Sequence, residues 1–591
     1  MAEYRAPLTE MTFALNELAG MEQIAALPGY EEATPDMVSA ILEEAGKLSG
    51  EVLAPLNEVG DRTGVKLTAD FEVPTPAGFK EAYQQFAEGG WGSLQFDPEF
   101  GGQGMPKVLA TAVQEMWQAA NMSWGLCPLL TQGAIEALEA NASDAIKQTF
   151  IPPMVSGEWT GTMNLTEPQA GSDLAAIRAK AEPEGDHYRI SGQKIFITWG
   201  EHDFTSNIVH LVLARLPDAP EGVRGISLFV VPKFLINADG SLGERNDCKA
   251  VSLEHKMGIH ASPTCVMSFG DNGGAIGYLV GQPNKGLACM FTMMNNARLG
   301  VGLQGVAIAD RAYQHAVNYA RERVQGPAPG SRVSAPIIQH PDVRRMLLTM
   351  RALTEAARGL AYVAHAGLDF EHAGTDEQKQ AQQARVALLT PIVKGWGPEI
   401  AQEVTALGVQ VHGGMGFIEE TGAAQFQRDA RILPIYEGTN GIQAMDLVGR
   451  KTLFDQGAAM NDLLAEIRSV IASAEGSAFA SEAAALDEAV QALELVQAGL
   501  LKGAEGDINL AGSIAFNYLM LAGTLSGGWM MLKSALAAAA KADAGDNDPF
   551  YTAKQATARF YFQQILPRYL GYAAICAEGS DAVMELDEAL F

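Results

Sequence analysis

"IVHLVLARLPDAPEGVRGISLFVVPKF", residues 208–234, holds two apolar, β-branched runs separated by a turn that contains Pro and Gly. Similar short runs occur at 159–165 and 188–198, so the β signal is confined to about residues 156–275. Both flanks instead place apolar residues three and four positions apart, as helices do. The pattern therefore predicts an α+β protein with a β domain inserted between helical regions.

Four regions follow from these changes along the chain. A chain of 591 residues is too long for a single core, so several domains are expected. We predict an N-terminal helical domain, a middle β domain, a second helical domain and a helical C-terminal extension, at residues 1–155, 156–275, 276–454 and 455–591. Near the start of the first region, Thr34 and Pro35 are suited to begin a helix.

Composition describes a globular protein and limits its partners. Hydrophobic residues make up 48% of the chain and charged residues 19%, which is ample material for buried cores. Lys and Arg total 41 against 70 Asp and Glu, giving a net charge of -29. This balance opposes general binding to nucleic acid and adhesion to anionic membranes. An anionic ligand would need a local pocket of Arg or Lys.

Neither a disulfide framework nor a metal site is predicted, because the five cysteines are scattered and form no CxxC pair. That pattern favours the reducing cytoplasm. The opening "MAEYRAPLTEMTFALNEL" has no basic region before an apolar core, so we predict no secretory signal. Residues 513–532 are long enough to span a membrane, but Asn517, Thr524 and three glycines favour a buried bundle helix instead.

One motif has the glycine spacing of a dinucleotide-binding site. "LGVGLQG", residues 299–305, fits GxGxxG, which binds dinucleotides only where a strand precedes it. Helical periodicity surrounds it on both sides. We therefore expect its glycines to allow close packing between helices.

Three other stretches could carry chemistry, and the residues alone leave each open. In "NLTEPQAGSD" (164–173) a β run leads into a small, flexible turn that could bind a phosphate or a ring edge, or cap a helix at Ser172 or Asp173. "QVHGGMGF" (410–417) could let a backbone approach a ligand or simply end a helix. In "RILPIYEGTNGIQ" (431–443), Glu437 could be a buried base or an exposed loop residue.

Seven segments in order resemble the acyl-CoA dehydrogenase family over about residues 36–450. They are "DPEFGGQGMP" (97–106), "NLTEPQAGSD", "KIFITWG" (194–200), "HKMGIHASPT" (255–264), "ARERVQG" (320–326), "QVHGGMGF" and "QRDARILPIYEGTNGIQ" (427–443). The resemblance implies a middle β-barrel or sandwich, a C-terminal four-helix bundle and a flavoenzyme that uses FAD. The residues beyond 455 resemble the extra helical domain of a subset of this family.

The resemblance assigns FAD-binding roles. The family implies that two β segments flank the flavin ring, that a serine contacts the flavin phosphate and acyl-CoA, and that exposed residues reach the FAD of a neighbouring subunit in a homodimer. The "ERVQG" segment departs from the usual pattern by being shorter and less aromatic. The implied FAD residues are Met163, Leu165, Thr166, Ser172, Phe196, Ile197, Thr198, Arg323, Gln410, Gly413, Gly414, Thr439 and Asn440.

The same resemblance names Glu437 as the catalytic base. A carboxylate in an apolar setting gains proton affinity and so becomes a competent base near neutral pH. Some members instead carry the base directly before the arginine matched by Arg298, but that position is Ala297, which cannot remove a proton. Gly438 permits close approach of the substrate, and Arg298 aligns with an arginine that contacts CoA.

Substrate and partners also follow from the resemblance. The opening stretch and the length are most similar to members that oxidise 3-methylmercaptopropionyl-CoA in dimethylsulfoniopropionate catabolism, with electron-transferring flavoprotein as electron acceptor. Trp124 begins the segment that forms the floor of the acyl pocket in relatives, although it could be an ordinary core residue. A short- or medium-chain dehydrogenase, an acyl-CoA oxidase, a monooxygenase and a DNA-protecting protein are the alternatives. A monooxygenase should not need Glu437, and the net charge of -29 opposes binding to DNA.

Overall fold

The computed structural model describes residues 3–591, which form two compact units. Unit 1 comprises the chain through Glu43, Pro106–Glu115 and Arg298–Phe591, and unit 2 comprises Glu44–Met105 and Met116–Ala297. The four predicted domain ranges are not tested by this division and stay a prediction.

Helices make up most of the described chain. α3, α6 and α9 contribute residues to both units, whereas α10–α19 belong to unit 1. The α-helices are α1 (Leu8–Phe13), α2 (Met21–Ala25), α3 (Pro35–Lys47), α4 (Ala54–Thr63), α5 (Phe79–Glu88), α6 (Lys107–Ala120), α7 (Met122–Asn141), α8 (Asp144–Val155), α9 (Gly286–Glu322), α10 (Pro341–Ala373), α11 (Asp376–His412), α12 (Ala423–Ala430), α13 (Asn440–Val448), α14 (Ala458–Ser473), α15 (Ala480–Gly503), α16 (Leu510–Asp543), α17 (Pro549–Gln564), α18 (Arg568–Ala577) and α19 (Asp581–Met584).

Unit 2 is built around a sheet of eight strands. Its main path runs β1-β4-β5-β10-β3-β9-β8, and β2 pairs with β3 and β4. Two short antiparallel ribbons, β6–β7 and β11–β12, lie outside it. The strands are β1 (Trp159–Asn164), β2 (Lys180–Glu184), β3 (His187–Thr198), β4 (Asn207–Arg215), β5 (Ile226–Pro232), β6 (Phe234–Ile236), β7 (Leu242–Arg245), β8 (Cys248–Leu253), β9 (Thr264–Phe269), β10 (Ala275–Val280), β11 (Val324–Pro327) and β12 (Ser334–Pro336).

The two apolar runs within residues 208–234 form adjacent antiparallel strands. β4 pairs with β5 from Val209 opposite Pro232 to Arg215 opposite Ile226. Every residue of β5 is buried, as is every residue of β4 except Arg215. A strand that is covered on both faces reads as a continuous apolar run, which explains why these two were recognisable in the sequence.

Helix packing in unit 1 depends on glycines that leave no room for side chains. A Cβ atom at Gly302 of α9 would lie 2.4 Å from Val393, and one at Gly305 would lie 2.7 Å from the Gly397 backbone. The GxGxxG motif therefore lies inside α9 and serves contact with α11, as predicted. At these glycines the backbones of α9 and α11 are in close contact, next to Lys394 of α11.

The C-terminal extension packs on the same helix. α16 contains residues 513–532, predicted as a buried bundle helix, and contacts α10, α11 and α13 as well as α17 and α18. A Cβ atom at Gly395 of α11 would lie 2.4 Å from Leu519, and one at Gly523 of α16 would lie 2.3 Å from Trp396. Between residues 3 and 591, no helix combines the length and apolar character needed to cross a membrane.

A buried ionic cluster joins the two ends of the chain within unit 1. Lys554 of α17 is fully buried and its Nζ lies 2.7 Å from Glu10 of α1 and 2.9 Å from Glu355 of α10. Arg351 adds a second cation beside Glu355 at 2.6 Å. Removing one member of such a cluster leaves an uncompensated charge in the interior, so the cluster makes the extension an integral part of the unit.

Candidate functional site

Glu437 lies in the loop between α12 and α13, residues 431–439, and its backbone is left-handed. Its φ is +55°, and the next residue, Gly438, has a φ of +84°. A non-glycine residue in this conformation costs of order 1–3 kcal/mol and persists only where its surroundings hold it. Leu433 is fully buried and anchors the start of the loop, whereas the Ile435 side chain is 48% exposed. The loop is thus an ordered turn rather than an exposed chain end.

Lys394 and Asn440 hold the two arms of this loop. Lys394 is fully buried on α11, and its Nζ donates to the carbonyl oxygen of Leu433 at 2.9 Å and to Oδ1 of Asn440 at 3.3 Å. The Asn440 side-chain amide donates to the Gly395 carbonyl oxygen at 3.1 Å and to Glu399 at 2.8 Å. Because the Asn440 side chain is hydrogen-bonded to Lys394, Gly395 and Glu399, any contact that Asn440 makes with FAD would have to come from its backbone.

Two further contacts fix the residues beside Glu437. The Tyr436 hydroxyl donates to Oε1 of Gln304 on α9. Thr439 caps α13, because its side-chain oxygen accepts the N–H of Ile442 at 3.2 Å. The base candidate is therefore held from both sides, by a tyrosine before it and a helix cap after it.

Electrostatics favour a proton-accepting role for Glu437. Burial raises the pKa of its carboxyl above the ordinary value, while the positive charges of Lys394 and Arg298 act in the opposite direction. Burial lowers the pKa of Lys394 to about 7, against the raising effect of Glu437. The carboxylate therefore has more proton affinity than a surface glutamate, and the positive charges of Lys394 and Arg298 limit that increase.

Arg298 lies beside the loop with unused hydrogen-bonding capacity. It is 7% exposed, and its Nε has no partner among residues 3–591. Its Nη2 would lie 3.8 Å from a Cβ atom at Gly438. Burial lowers the pKa of its guanidinium, against the raising effects of Asp446 and Glu437. A buried, incompletely satisfied cation is suited to an anionic or carbonyl group of a ligand.

The backbone N–H of Glu437 is also available. Within residues 3–591 it donates to no protein acceptor. An unused N–H next to a proton acceptor can bind a carbonyl oxygen on which negative charge develops, as in an oxyanion hole.

In unit 2, the two predicted flavin segments lie against each other. The Thr162 hydroxyl donates to the Thr198 carbonyl oxygen at 2.6 Å, and the Ile195 N–H donates to the Thr166 carbonyl oxygen at 2.9 Å. β3 bulges between Lys194 and Ile197 where it pairs with β9. Tertiary structure thus brings residues 163–166 and 196–198 together at one end of β3.

The bulge exposes an aromatic ring. Phe196 has a φ of +59° and is 57% exposed, whereas its neighbour Ile197 is buried. Met163 is buried, and Leu165, Thr166 and Thr198 are half-buried. An exposed aromatic side chain on strained backbone, surrounded by partly covered residues, fits a surface that a planar ring system covers.

Lys194 and Glu167 fix the turn that follows β1. Lys194 is fully buried and donates to the Leu165 carbonyl oxygen at 3.0 Å and to Glu167 at 2.8 Å. Glu167 also accepts the N–H groups of Arg178 and Ala179 at 2.7 and 3.0 Å. The buried side of the turn is therefore fixed by Lys194 and Glu167, and the tip of the turn is exposed.

The tip of that turn has both features expected from the sequence, a helix cap and a side chain that is open to a ligand. Asp173 caps a short 3-10 helix, Leu174–Ala176, by accepting the Ala175 N–H at 3.0 Å. Ser172 is exposed, so its hydroxyl faces away from the core. A capping role for Asp173 leaves Ser172 free for a ligand.

The predicted second-subunit residues are exposed. α11 ends at His412, and Gly413 follows with a φ of +60°. A Cβ atom at Gly413 or Gly414 would meet nothing within 4 Å. Gln410 is also exposed, and the exposed Arg323 side chain donates to Gln325 at 3.4 Å. These residues contribute backbone and side chains to open space, as contact with a second copy requires.

Trp124 lies in an aromatic core of unit 2. It is fully buried, its indole N–H donates to the Phe79 carbonyl oxygen at 3.2 Å, and its ring packs edge-on to Phe86 at 5.3 Å. Its neighbours include Tyr83 and Phe204. These contacts are those of an ordinary core residue, as the second interpretation of Trp124 expected. A role in the acyl pocket stays a prediction.

Sequence reasoning missed Lys394 and Lys194, two buried lysines that hold the Glu437 loop and the turn after β1. Lys394 is the single charge in "LLTPIVKGWG" (388–397), and Lys194 precedes the apolar run "IFIT". A lone lysine inside an apolar stretch was the available signal, since lysine is almost never fully buried unless it is paired. Nothing in the sequence indicated which carbonyl groups the two lysines would contact.

Comparison with known proteins covers nearly the whole chain. Models of the acyl-CoA dehydrogenase N-terminal, middle and C-terminal domains match residues 40–158, 162–272 and 284–452. A model described as acetyl-CoA dehydrogenase C-terminal like matches residues 463–587. The predicted fold class is thereby confirmed, including the extra C-terminal helices.

Individual relatives extend over the same length. The chain is 52% identical over 572 residues to 3-methylmercaptopropionyl-CoA dehydrogenase of Ruegeria pomeroyi, across 95% of this chain and 96% of that protein. It is 36% identical over 605 residues to a butyryl-CoA dehydrogenase of Syntrophomonas wolfei, across 100% and 99%. The structure of acyl-CoA dehydrogenase complexed with FAD from Bacillus anthracis shares the fold, with a TM-score of 0.74 at 21% identity over 98% of this chain and 93% of that one.

With this identity and coverage, the chain belongs to the acyl-CoA dehydrogenase family of FAD-using oxidoreductases that act on CH–CH bonds.

Proposed function

We propose that this chain dehydrogenates a short acyl-CoA thioester, 3-methylmercaptopropionyl-CoA, to methylthioacryloyl-CoA, with Glu437 as the base. The observation that carries the base is the left-handed turn at the half-buried Glu437, with its unused N–H and the two cations Lys394 and Arg298. The 52% identity to the Ruegeria pomeroyi enzyme over 95% of this chain supports the substrate.

Glu437 removes the proton from the carbon next to the thioester carbonyl. The α C–H bond breaks, its electron pair moves toward the carbonyl oxygen, and the Glu437 N–H donates to that oxygen as negative charge develops. Once Glu437 carries the proton it is neutral and no longer offsets Lys394 and Arg298. Their positive charge then favours the developing anion. When bound, FAD supplies the acceptor for the hydride that leaves the β carbon as the C=C bond forms.

Two groups of residues hold FAD in this proposal. Residues 163–166 and 196–198, which include the exposed Phe196, would hold the flavin ring, and the exposed Ser172 would contact its phosphate. Arg323, Gln410, Gly413 and Gly414 face the FAD of a second copy, so the active form is a homodimer, and electron-transferring flavoprotein takes up the electrons. Their exposure supports this arrangement.

The variant Glu437→Gln tests the base, because it keeps size and polarity while removing the proton acceptor. We expect it to retain FAD and acyl-CoA binding and to lose flavin reduction under anaerobic conditions. General-base contributions are typically about 10²–10⁴-fold, and the loss should lie at the upper end of that range. Activity within about tenfold of wild type would mean that another residue removes the proton.

The same assay run against a panel of acyl-CoAs tests the substrate. A sulfur atom and a methylene group are similar in size, so an apolar pocket separates them by only about 1–3 kcal/mol. Butanoyl- and pentanoyl-CoA should therefore react within about 10–200-fold of 3-methylmercaptopropionyl-CoA, and palmitoyl-CoA should hardly react. The highest kcat/KM on a chain of twelve carbons or more would refute the short pocket. Trp124→Phe should shift preference toward longer chains only if this ring bounds the pocket.

Butanoyl-CoA is the second candidate substrate, favoured by the 36% identity to the Syntrophomonas wolfei butyryl-CoA dehydrogenase over the full length of this chain. The panel separates the two, because each proposal places a different thioester at the top of the kcat/KM ranking.

A further inference from the structure

Lys394 combines three properties that no other described lysine of unit 1 shows together. It is fully buried, it donates to the backbone of the Glu437 loop, and its charge acts on the Glu437 carboxyl group. Its Nζ is directed at the Leu433 carbonyl oxygen and at Asn440, not at the carboxylate itself. The ammonium group therefore binds the loop directly and reaches the base only through space.

The loop needs such a contact. Glu437 has a φ of +55°, a conformation that its own side chain disfavours. The Asn440 N–H donates to the Pro434 carbonyl oxygen at 2.9 Å, which closes the turn between the two points that Lys394 holds. Lys394 thus clamps the turn at its entry and its exit.

Other charged groups around this pair are few. Lys394 is influenced by Glu437, by Arg298 of α9 and by Glu399 of α11, and Glu437 by Lys394 and Arg298. Asp446 of α13 and Arg450, which follows the end of α13, act on Arg298, and Glu437 acts on the neighbouring Tyr436 hydroxyl.

We propose that Lys394 is a positioning residue that holds the Glu437 turn in its left-handed conformation and, while it is protonated, lowers the proton affinity of the Glu437 carboxyl group. This inference rests on the proposed role of Glu437 as the base. Without the Lys394 cation, Arg298 would be left to oppose the effect of burial on the carboxyl group. Glu437 would then remain protonated to higher pH. Without the two hydrogen bonds, the turn would relax and move the carboxylate away from the α proton.

The variant Lys394→Met tests this in the holoenzyme, because methionine has similar length and no charge. We expect the acid limb of the kcat/KM profile to move up by about 1 pH unit, since an opposite charge nearby lowers the pKa of a carboxyl group by about that much. The plateau should fall about 100-fold, the cost of displacing a catalytic group by about 1 Å. FAD content and melting temperature, measured alongside, separate these effects from general damage.

Lys533→Met is the matched control. Lys533 of α16 is half-buried, and like Lys394 it donates from Nζ to a carbonyl oxygen, here that of Leu18 at 3.0 Å. It should lose stability and keep both the plateau and the acid limb of the wild type. A Lys394→Met profile that falls in height without moving along the pH axis, as a merely structural role predicts, overturns the proposal.

A second readout does not depend on catalysis. The carboxyl band present in the infrared spectrum of the wild type and absent from Glu437→Gln reports protonation of Glu437, and its titration midpoint should move to higher pH in Lys394→Met. An unchanged midpoint refutes the role of Lys394, whether or not Glu437 is the base. An active Glu437→Gln refutes the proposed base instead. If Lys394→Met does not fold, Lys394→Gln, which keeps an amide donor, is titrated in the same way.

Discussion

The substitution Gly523→Ala probes how the C-terminal extension supports the Glu437 loop. Gly523 of α16 faces Trp396 of α11, and an added Cβ atom would lie 2.3, 2.5 and 2.6 Å from the Cγ, Cδ1 and Cβ atoms of that side chain. Trp396 is 2% exposed, so its ring has no free space to turn into. The added methyl group must therefore displace α16 or α11.

The size of the effect follows from two opposing contributions. Replacing Gly by Ala inside a helix stabilises it by about 0.8–1 kcal/mol. Overpacking a filled core costs about 1–3 kcal/mol. At Gly523 the second contribution prevails, and we expect a net loss of up to about 2 kcal/mol. Gly499 of α15 is the matched control, because a Cβ atom there would meet nothing within 4 Å, so Gly499→Ala should gain about 1 kcal/mol.

Urea denaturation of both variants, followed by circular dichroism, measures the difference. Activity on the preferred acyl-CoA should fall in Gly523→Ala alone, because Trp396 lies two residues from Lys394 on α11. The reasoning fails if Gly523→Ala is as stable as Gly499→Ala, since the Cβ contact would then be relieved at no cost. Lower stability with unchanged activity would uphold the packing argument and show that the extension does not affect the Glu437 loop.

Two further predictions concern the cofactor and pH. Gly414→Trp should lower bound FAD, measured by flavin absorbance, because a ring would fill the space proposed for a second copy's cofactor; Gly571→Trp, also in open space, should not. Lys554→Met should lower the free energy of unfolding by about 3–5 kcal/mol at pH 7–8, because it leaves Glu10 and Glu355 buried without it. Burial already raises the pKa of Glu10, and a carboxyl group with a raised pKa stabilises the fold at low pH and loses that contribution as pH rises through the raised value. The deficit of Lys554→Met should therefore shrink on acidification, and a deficit that grows at low pH would contradict the assignment.

Much of the fold could be predicted because its signals are local. β4 and β5 are apolar on both faces, so their positions were recognisable to within two residues. Thr34 accepts the Met37 N–H at 3.3 Å at the start of α3, as its place before Pro35 indicated. Such patterns depend on neighbours within a few residues, which a single sequence displays directly.

The site could be predicted only in part. The ordered motifs indicated the family, which the comparisons confirm, and the resemblance singled out Glu437 and the flavin segments. Their assigned roles stay predictions. The residues alone left Glu437 open between a base and a loop end, because nothing in "YEGTN" states how deeply the carboxylate lies or which charges surround it.

The sequence by itself determined the order of helical and β regions, the position of the turn that carries Glu437 and the glycines at which helices approach each other. Tertiary structure alone decided that Lys394 of α11 reaches the Leu433 carbonyl oxygen, and that the bulge in β3 turns Phe196 outward beside Thr166. The physical reason is the range of the interactions. Periodicity and turn chemistry act between near neighbours, whereas desolvation and the field of a buried cation depend on groups that are distant in the chain and meet only when it folds.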